Sequence, residues 1–423
     1  MPDVKRKAPS VAAEMLPACD IQILRELAHR VAELAARDIE QEKRELWYAH
    51  NALQNVRPLI FCDPENGWHE IIRKEDFQCQ SSLGRHWEWW LRRDIVWGEL
   101  IRDDRVITGV FEVGYVATET GWGVEERRIG GGDGGAYTWD PPIKDLSDLS
   151  GLHYPEVTVD LPATERLLDC AREVFSDILP VRLHHYWVWS VGLTQTLVKL
   201  RGLEQMMVDM IEDPEGLHRL MAFLRDGTLS RLEYLEREGL LCLNNGGEYV
   251  GSGGFGWSRE LPQPGFAGKV RLKDLWGMAE SQETVCVSPA MFEEFVFPYQ
   301  LPLLERFGLT CYGCCEPVHS RWHIIRRIPN LRRVSVSPWC DAGAMAEYLQ
   351  DRYIFSLKPN PAYLGSRVFE EDAARNELRE KLSRARGCRV EIIMKDCHTI
   401  GGDPQRVRRW VEIAREESER VLA

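Results

Sequence analysis

Short apolar runs alternate with helical patterns along most of this chain, and this alternation limits the folds that it can adopt. Eight runs have the length and flanking turn residues of buried strands, and patterns with helical spacing separate them. Such alternation is typical of parallel βα units. Eight units in 423 residues predict an α/β fold, a closed (β/α)8 TIM barrel. The predicted strands are 57–64, 110–116, 181–189, 240–244, 309–314, 333–337, 353–357 and 390–395.

Three segments fall outside the repeating pattern. Residues 1–56 are predicted to be an N-terminal helical extension, helical over 19–56, and residues 57–423 to be the barrel. Glycine and proline are frequent in 121–155, so we expect an excursion with little regular structure after the second strand. Glycine is also frequent in 246–268, which predicts either unusual backbone angles or a loop that covers the substrate.

Composition and charge exclude several classes of protein. The net charge of −13 argues against a broad nucleic-acid-binding surface, which needs clustered Lys and Arg. No apolar run approaches the ~18 residues of a membrane span, and the first residues lack the apolar core of a signal peptide. Twelve cysteines in such a chain are expected to be thiols in a reducing compartment, the cytoplasm. The sequence leaves open whether the chain is a monomer or a homodimer.

Residues that follow the predicted strands are the first candidates for a site, because active residues of barrels lie at the carboxyl ends of strands. The fifth and eighth predicted strands end in groups that can bind a metal: Cys314, Cys315 and Glu316 in one, and Cys397 and His398 in the other. The candidate substrate-binding residues are Glu112, Tyr115, His184, His185, Tyr186, Trp187, Asn244, Glu248 and Asn360.

The cysteines allow two interpretations. Strand alternation places Cys314 and Glu316 on one face, and Cys397 from another strand would complete three ligands. Three protein ligands with one open position are typical of a catalytic zinc site, whereas structural zinc has four closed ligands. Alternatively, these thiols are packing residues of tight strands, the usual role of free cysteine.

Several motifs resemble the uroporphyrinogen decarboxylase superfamily, whose fold is a (β/α)8 barrel. The resemblance covers about 180–421, and it rests on the order and spacing of the motifs more than on any one of them. The motifs are GLTQTL at 192–197, LRGLE at 200–204, MIEDPE at 210–215, VSPAMFEEFV at 287–296, LKPNP at 357–361, and CHTI at 397–400.

Within this superfamily the chain resembles the zinc- and corrinoid-dependent methyltransferases. The arginine-rich and early aspartate motifs of the true decarboxylases have no counterpart near the first two strands. The resemblance implies that Cys314 and Cys397 match two zinc-binding cysteines of the methyltransferases. Tyr312 stands where that branch has a histidine, so Glu316, Cys315 or His398 is expected to supply the third ligand.

The resemblance implies transfer of a methyl group from a small donor to a Co(I) corrinoid. The chain has no Asp-x-His-x-x-Gly corrinoid motif, so a partner protein is expected to carry the corrinoid. Aromatic strand ends favour a methoxylated aromatic donor or a quaternary amine. Zn²⁺ is expected as the cofactor, and Glu316 and His398 as catalytic residues. Two alternatives stay open: a metal-free decarboxylase or lyase, and a non-catalytic barrel that binds a small molecule.

Overall fold

Short strands and longer helices alternate along the chain in the computed structural model, which describes residues 16–131 and 137–422. Most strands have only three or four residues. The strands are β1 (Leu59–Cys62), β2 (Phe111–Val113), β3 (Ala117–Glu119), β4 (Arg127–Gly130), β5 (Tyr137–Asp140), β6 (Val157–Val159), β7 (Val181–Leu183), β8 (Trp276–Ala279), β9 (Leu309–Tyr312), β10 (Leu331–Val336), β11 (Ile354–Leu357) and β12 (Arg389–Met394).

The helices bury apolar stripes against these strands. The long ones carry apolar residues at helical spacing, and Asp160, Ser81 and Asp213 cap three of them through their side chains. The helices are α1 (Ala18–Ala35), α2 (Asp38–Asn51), α3 (Trp68–Ile71), α4 (Ser82–Val96), α5 (Leu161–Phe175), α6 (Thr194–Arg201), α7 (Leu203–Glu212), α8 (Pro214–Arg237), α9 (Pro289–Phe295), α10 (Phe297–Leu304), α11 (Trp322–Ile325), α12 (Ala342–Leu349), α13 (Ala362–Gly365), α14 (Glu371–Arg384) and α15 (Gln405–Leu422).

Six strands form one parallel sheet in the order β1-β12-β11-β10-β9-β8. All neighbouring pairs run parallel, so the carboxyl ends of these strands meet at one edge, here called the carboxyl edge. A separate parallel pair joins β2 and β7. The α/β class predicted from the alternation is therefore confirmed.

A closed eight-stranded barrel is not found among the strands of the described residues, because the six-stranded sheet and the β2–β7 pair are not joined by a strand ladder. The prediction of a strand at 240–244 is wrong. There the side chain of Asn244 replaces a strand pairing: its Oδ1 accepts from the backbone of Trp276 at 2.9 Å and its Nδ2 donates to the same residue at 2.9 Å. The sequence analysis also missed β8.

The predicted helices are confirmed in place but not in length. The single helix predicted over 19–56 is two helices, α1 and α2, which separate at Ala36 and Arg37. The apolar spacing in 202–238 predicts two helices separated at Asp213 and Pro214. The structure confirms them as α7 and α8, with Asp213 accepting from the backbone of Gly216 at the break. Pro214 occupies the first turn of α8, as expected from its fixed backbone angle.

The segment 121–155 contains more regular structure than predicted. The strands β4 and β5 pair antiparallel within it, and β3 and β6 pair antiparallel at its flanks. Residues 132–136, which hold three of its eight glycines, lie outside the described residues. The expectation of little regular structure is therefore wrong for 127–130 and 137–140.

Part of the glycine-rich segment packs against the sheet instead of covering it from outside. Residues 250–258 are buried. Gly253 shows why glycine is needed: its φ is +106°, and a Cβ there would lie 2.3 Å from Cγ2 of Ile393 on β12. The prediction of unusual backbone angles is therefore confirmed, and a loop that covers the substrate stays a prediction.

The same face of the sheet buries an ionic network. Arg333 on β10 and Glu391 on β12 are nearly inaccessible to solvent, and their Nε and Oε1 atoms lie 2.9 Å apart. The end of α2 completes the network: His50 Nε2 lies 3.2 Å from Oε2 of Glu391, and Asn51 accepts from Arg333 at 2.8 Å. The N-terminal helices therefore supply polar partners to the interior of the sheet.

Candidate functional site

Two cysteines and a lysine meet where β9 and β12 end. The Sγ atoms of Cys314 and Cys315 lie 3.6 Å apart, and Nζ of Lys395 lies 3.4 Å from Sγ of Cys314. The buried segment 250–258 adds Ser252, whose hydroxyl lies 3.3 Å from Sγ of Cys314 and accepts from Lys395 at 2.9 Å. These four residues are called the thiol centre, and Asp396 adjoins it with Oδ2 3.4 Å from Sγ of Cys315.

Backbone geometry explains why strand alternation fails at this site. Gly313 has a φ of +91°, so the alternation of β9 stops there, and Cys311 and Cys314 pack in the same apolar cluster. Strand alternation by itself predicts that Cys311 and Cys314 lie on opposite faces, and this prediction is wrong. Asp396 has a φ of +60°, and the chain likewise turns after Lys395.

The thiol centre stabilises a thiolate. The pKa of Cys314 is lowered to about 7, first because Cys315 donates a hydrogen bond to it, against the opposing effect of burial, and then because of the charge of Lys395. Burial disfavours the charged form of Lys395, yet the charges of Cys314 and Asp396 raise its pKa well above the usual value. The pKa of Cys315 is raised, because its proton is held by Cys314.

Replacement of Lys395 by methionine should raise the pKa of Cys314, because it removes the nearest cation. On metal-free protein, modification of Cys314 by methyl methanethiosulfonate, followed by peptide mass spectrometry, should have its midpoint near pH 7. In the variant we expect the midpoint about one pH unit or more higher. Replacement of Lys273, which is exposed, should leave it unchanged. Equal midpoints in wild type and Lys395→Met would contradict this electrostatic role.

Glu316 is buried beside the thiol centre, and its carboxylate binds backbone N–H groups. Its carboxylate accepts from the backbone of Ser281 at 2.9 Å and of Cys314 at 2.8 Å. Burial raises its pKa, and the backbone hydrogen bonds oppose that effect. These contacts connect the turns that follow β8 and β9, so Glu316 positions Cys314.

Cys397 and His398 lie apart from the thiol centre. Cys397 is buried with its Sγ 3.8 Å from the carbonyl of Lys395, and burial raises its pKa, as do Glu65 and Asp63. His398 is exposed, and its Nδ1 lies 3.4 Å from Nδ2 of Asn66. Within the ranges that the structure describes, Cys314, Cys315, Glu316 and Cys397 do not form a group with all ligating atoms within 4.8 Å.

Two titratable carboxyl groups near the thiol centre were not selected from the sequence. Glu65 accepts from the backbone of Asp396 at 2.8 Å, and burial, followed by the charge of Asp63, raises its pKa to about 8. Glu280 is buried after β8, and burial followed by the charge of Glu283 raises its pKa well above the usual value. Glu65 follows the first predicted strand, but its position gives no indication of burial, and Glu280 was missed together with β8.

Three predicted substrate-binding residues form a second cluster on β2, β7 and the start of the glycine-rich segment. One ligating atom each of Glu112, His184 and Glu248 lies within 4.8 Å of the others. Arg182, which the sequence analysis missed, forms ion pairs with Glu112 and, at 2.8 Å, with Glu248. Because Arg182 is two residues before His184 on the same face of β7, alternation could have identified it.

The aromatic candidates form a stack near this cluster. The ring centroids of Tyr115 and Trp187 lie 5.8 Å apart, and those of His185 and Trp187 lie 4.1 Å apart. Tyr186 is half-buried beside them. A further tryptophan, Trp189, donates to the carbonyl of Gly251 and packs against the apolar cluster of Cys314.

The two remaining substrate-binding candidates, Asn244 and Asn360, form hydrogen bonds that shape the fold. Asn244 pairs with Trp276, as described above. Asn360 accepts from the backbone of Ala362 at 3.0 Å, and its own backbone donates to Glu377. It therefore shapes the turn before α13, which is a common use of asparagine.

Comparison with protein-family models and with curated proteins found no match for this chain. The resemblance to the uroporphyrinogen decarboxylase superfamily therefore stays a prediction. Among the helices of residues 16–131 and 137–422, none has the length and apolar character needed to cross a membrane.

Proposed function

We propose that this chain is a zinc-dependent methyltransferase that removes a methyl group from a small donor and passes it to a Co(I) corrinoid carried by a partner protein. The observation that carries the proposal is the pair of thiols at the carboxyl edge, with their Sγ atoms 3.6 Å apart. The carboxyl edge is where barrel enzymes place their reacting groups. The finer fold that we propose is correspondingly a (β/α)8 barrel.

Contacts other than strand ladders support the barrel. The backbone of Asp104, before β2, donates to the carbonyl of Ile60 on β1 at 2.8 Å. On the other side of the β2–β7 pair, His184 lies 3.1 Å from the carbonyl of Leu243, and Asn244 pairs with Trp276 on β8. We also propose a cytoplasmic setting, because all twelve cysteines are free.

The thiol pair is compatible with zinc. Two sulfur ligands on one tetrahedral zinc, each about 2.3 Å from the ion, lie roughly 3.75 Å apart, close to the observed separation. Cys314 and Cys315 would hold the ion, and the carboxylate of Asp396 adjoins Cys315 with Oδ2 3.4 Å from its Sγ. When bound, zinc supplies a Lewis acid for the heteroatom that carries the methyl group.

The chain's own residues have two further tasks in this proposal. Glu65 carries a proton below its pKa of about 8 and can donate it to the donor oxygen. In the balanced reaction the bond between oxygen and methyl carbon would break, and the oxygen would keep that electron pair and take this proton. The methyl group would pass to the partner's Co(I) corrinoid, which would supply both electrons of the new bond. Trp189, packed against the cluster of Cys314, offers an aromatic surface for a methoxylated aromatic donor.

The proposal predicts corrinoid methylation that depends on the donor. Zinc-loaded protein mixed with Co(I) cobalamin should consume the Co(I) absorbance with a methoxylated aromatic compound or a quaternary amine. It should not do so with the corresponding phenol or tertiary amine, which are the demethylated products. Loss of the Co(I) signal at the same rate with and without the protein, for every donor, would contradict the proposal.

A metal-free lyase is a second candidate, and the ammonium group of Lys395 favours it. Nζ lies 3.4 Å from Sγ of Cys314, where it competes with a metal ion for the thiolate. This candidate predicts that activity survives a strong chelator, whereas the methyltransferase loses it. The non-catalytic barrel predicts that Cys314→Ser and Cys315→Ser together leave ligand affinity unchanged.

A further inference from the structure

A second group of side chains that can bind a metal ion is distinct from the thiol centre. Glu112 lies on β2, His184 directly follows β7, and Glu248 lies at the start of the glycine-rich segment. All three have side chains that are largely shielded from solvent, with 16%, 8% and 6% exposed, respectively. The three residues come from separate parts of the chain, so the fold alone brings them together.

The hydrogen bonds of His184 select one ring nitrogen as an acceptor. Nε2 lies 3.1 Å from the carbonyl of Leu243, to which it donates, and this leaves a lone pair on Nδ1 of the neutral ring. Nδ1 lies 3.6 Å from Oε2 of Glu112. A metal-binding histidine usually donates its other ring N–H to a carbonyl or carboxylate oxygen, and the contact between Nε2 and Leu243 has this form.

The distances between these groups suit ligands of one ion. Ligands about 2.1 Å from an ion lie roughly 3.0–3.4 Å apart in octahedral or tetrahedral geometry. Nδ1 of His184 lies 3.6 Å from Oε2 of Glu112, and one ligating atom each of Glu112, His184 and Glu248 lies within 4.8 Å of the others. The oxygen of Glu248 that lies 3.6 Å from Nε2 must rotate towards Nδ1 to share an ion with Glu112, because Nε2 donates to the carbonyl of Leu243.

Charge also favours a cation at this position. Two carboxylates face one guanidinium, that of Arg182, so the group has net negative charge when His184 is neutral. The side chain of Arg182 is 49% exposed, which allows it to move into solvent. The imidazole ligand disfavours Mg²⁺ and Ca²⁺, which prefer all-oxygen sites, and favours a first-row transition ion.

We propose that Glu112, His184 and Glu248 bind a divalent first-row transition-metal ion, and that the guanidinium of Arg182 competes with this ion for the two carboxylates. This site is separate from the thiol centre and does not depend on the proposed function. The bound ion would connect β2, β7 and the start of the glycine-rich segment.

Titration with Mn²⁺ tests this site, because Mn²⁺ prefers oxygen and nitrogen ligands to thiolates. The electron paramagnetic resonance signal of free Mn²⁺ should report one bound ion per chain. Glu248→Gln should weaken binding by about tenfold or more, the lower limit already seen for groups that only support metal ligands. Arg182→Met should tighten binding, because it removes the competing cation. Glu119→Gln, on the next strand along the chain, β3, is the matched control and should leave the Mn²⁺ affinity unchanged.

Two outcomes would overturn the site: no Mn²⁺ binding by either wild type or Arg182→Met, or equal affinities of wild type and Glu248→Gln. If Glu248→Gln does not fold, the tighter binding by Arg182→Met is still decisive. Cys314→Ser should leave Mn²⁺ affinity unchanged, so failure of the thiol centre and failure of this site can be distinguished.

Discussion

Replacement of Cys314 by serine should abolish methyl transfer and release zinc. Loss of a group that only supports a metal ligand typically costs about 10–100-fold, so loss of a ligand should lower turnover by at least about a hundredfold. Sγ of Cys314 also contacts Lys395, Ser252 and Cys315, and a serine hydroxyl can retain hydrogen bonds with these groups. The folded state should therefore be kept, and the metal-free variant should have nearly the melting temperature of metal-free wild type, because bound zinc stabilises only the wild type. Turnover with Co(I) cobalamin and zinc content measure the effect.

The matched control is Cys286→Ser. Cys286 is exposed and follows β8, so its thiol is not part of the thiol centre. It should keep full turnover and full zinc content. Cys315→Ser should behave like Cys314→Ser, because both thiols are proposed ligands. Unchanged turnover in the double variant at Cys314 and Cys315 would rule out the thiol pair as the reacting centre.

Replacement of Glu391 by glutamine should destabilise the protein strongly. Glu391 is fully buried and pairs with the buried Arg333 and with His50. The glutamine variant leaves the charge of Arg333 without its partner, and removal of one member of a buried pair costs about 3–5 kcal/mol. Urea denaturation should show the lower free energy of unfolding. Because replacement of both members is often neutral, Arg333→Met combined with Glu391→Gln should recover much of the stability.

The same pair predicts a pH dependence of stability. Burial opposes ionisation of Glu391, but Arg333, followed by His50, lowers its pKa from 4.5 to about 2. A carboxyl group with a lowered pKa in the folded state contributes stability above its unfolded pKa, and that contribution is lost as the pH falls. Stability should therefore decrease between about pH 4.5 and pH 2, and less so in the double variant. Glu347→Gln, an exposed control, should keep the wild-type profile.

Much of the sheet could be predicted from apolar runs, and the exceptions have local causes. The strands β1, β9, β10, β11 and β12 were predicted from runs of buried apolar residues. The strand β8 was missed because its sequence, Trp-Gly-Met-Ala, is short and contains glycine, which is unfavourable in strands. The run at 240–244 has the pattern of a strand, but the side chain of Asn244 takes the place of the backbone pairing.

The thiol centre was predicted in part. Cys314 and Cys315 follow a strand, and that position identified them. Which of the remaining groups would face them depends on backbone turns at Gly313 and Asp396, whose positive φ angles interrupt strand alternation. Lys395 therefore takes the place beside Cys314 that the resemblance assigns to Cys397. Ser252 comes from a distant segment, and its spacing in the sequence gives no indication of this contact.

X-ray absorption at the zinc edge would test the central claim most directly. The measurement uses protein that has never been exposed to a chelator. It uses the Glu248→Gln variant, because this substitution weakens zinc binding by Glu112, His184 and Glu248. The proposed function predicts about one zinc per chain with two sulfur neighbours, and loss of that zinc when Cys314 and Cys315 are both serine. Absence of zinc, or zinc with only oxygen and nitrogen neighbours, would contradict it and favour the metal-free lyase.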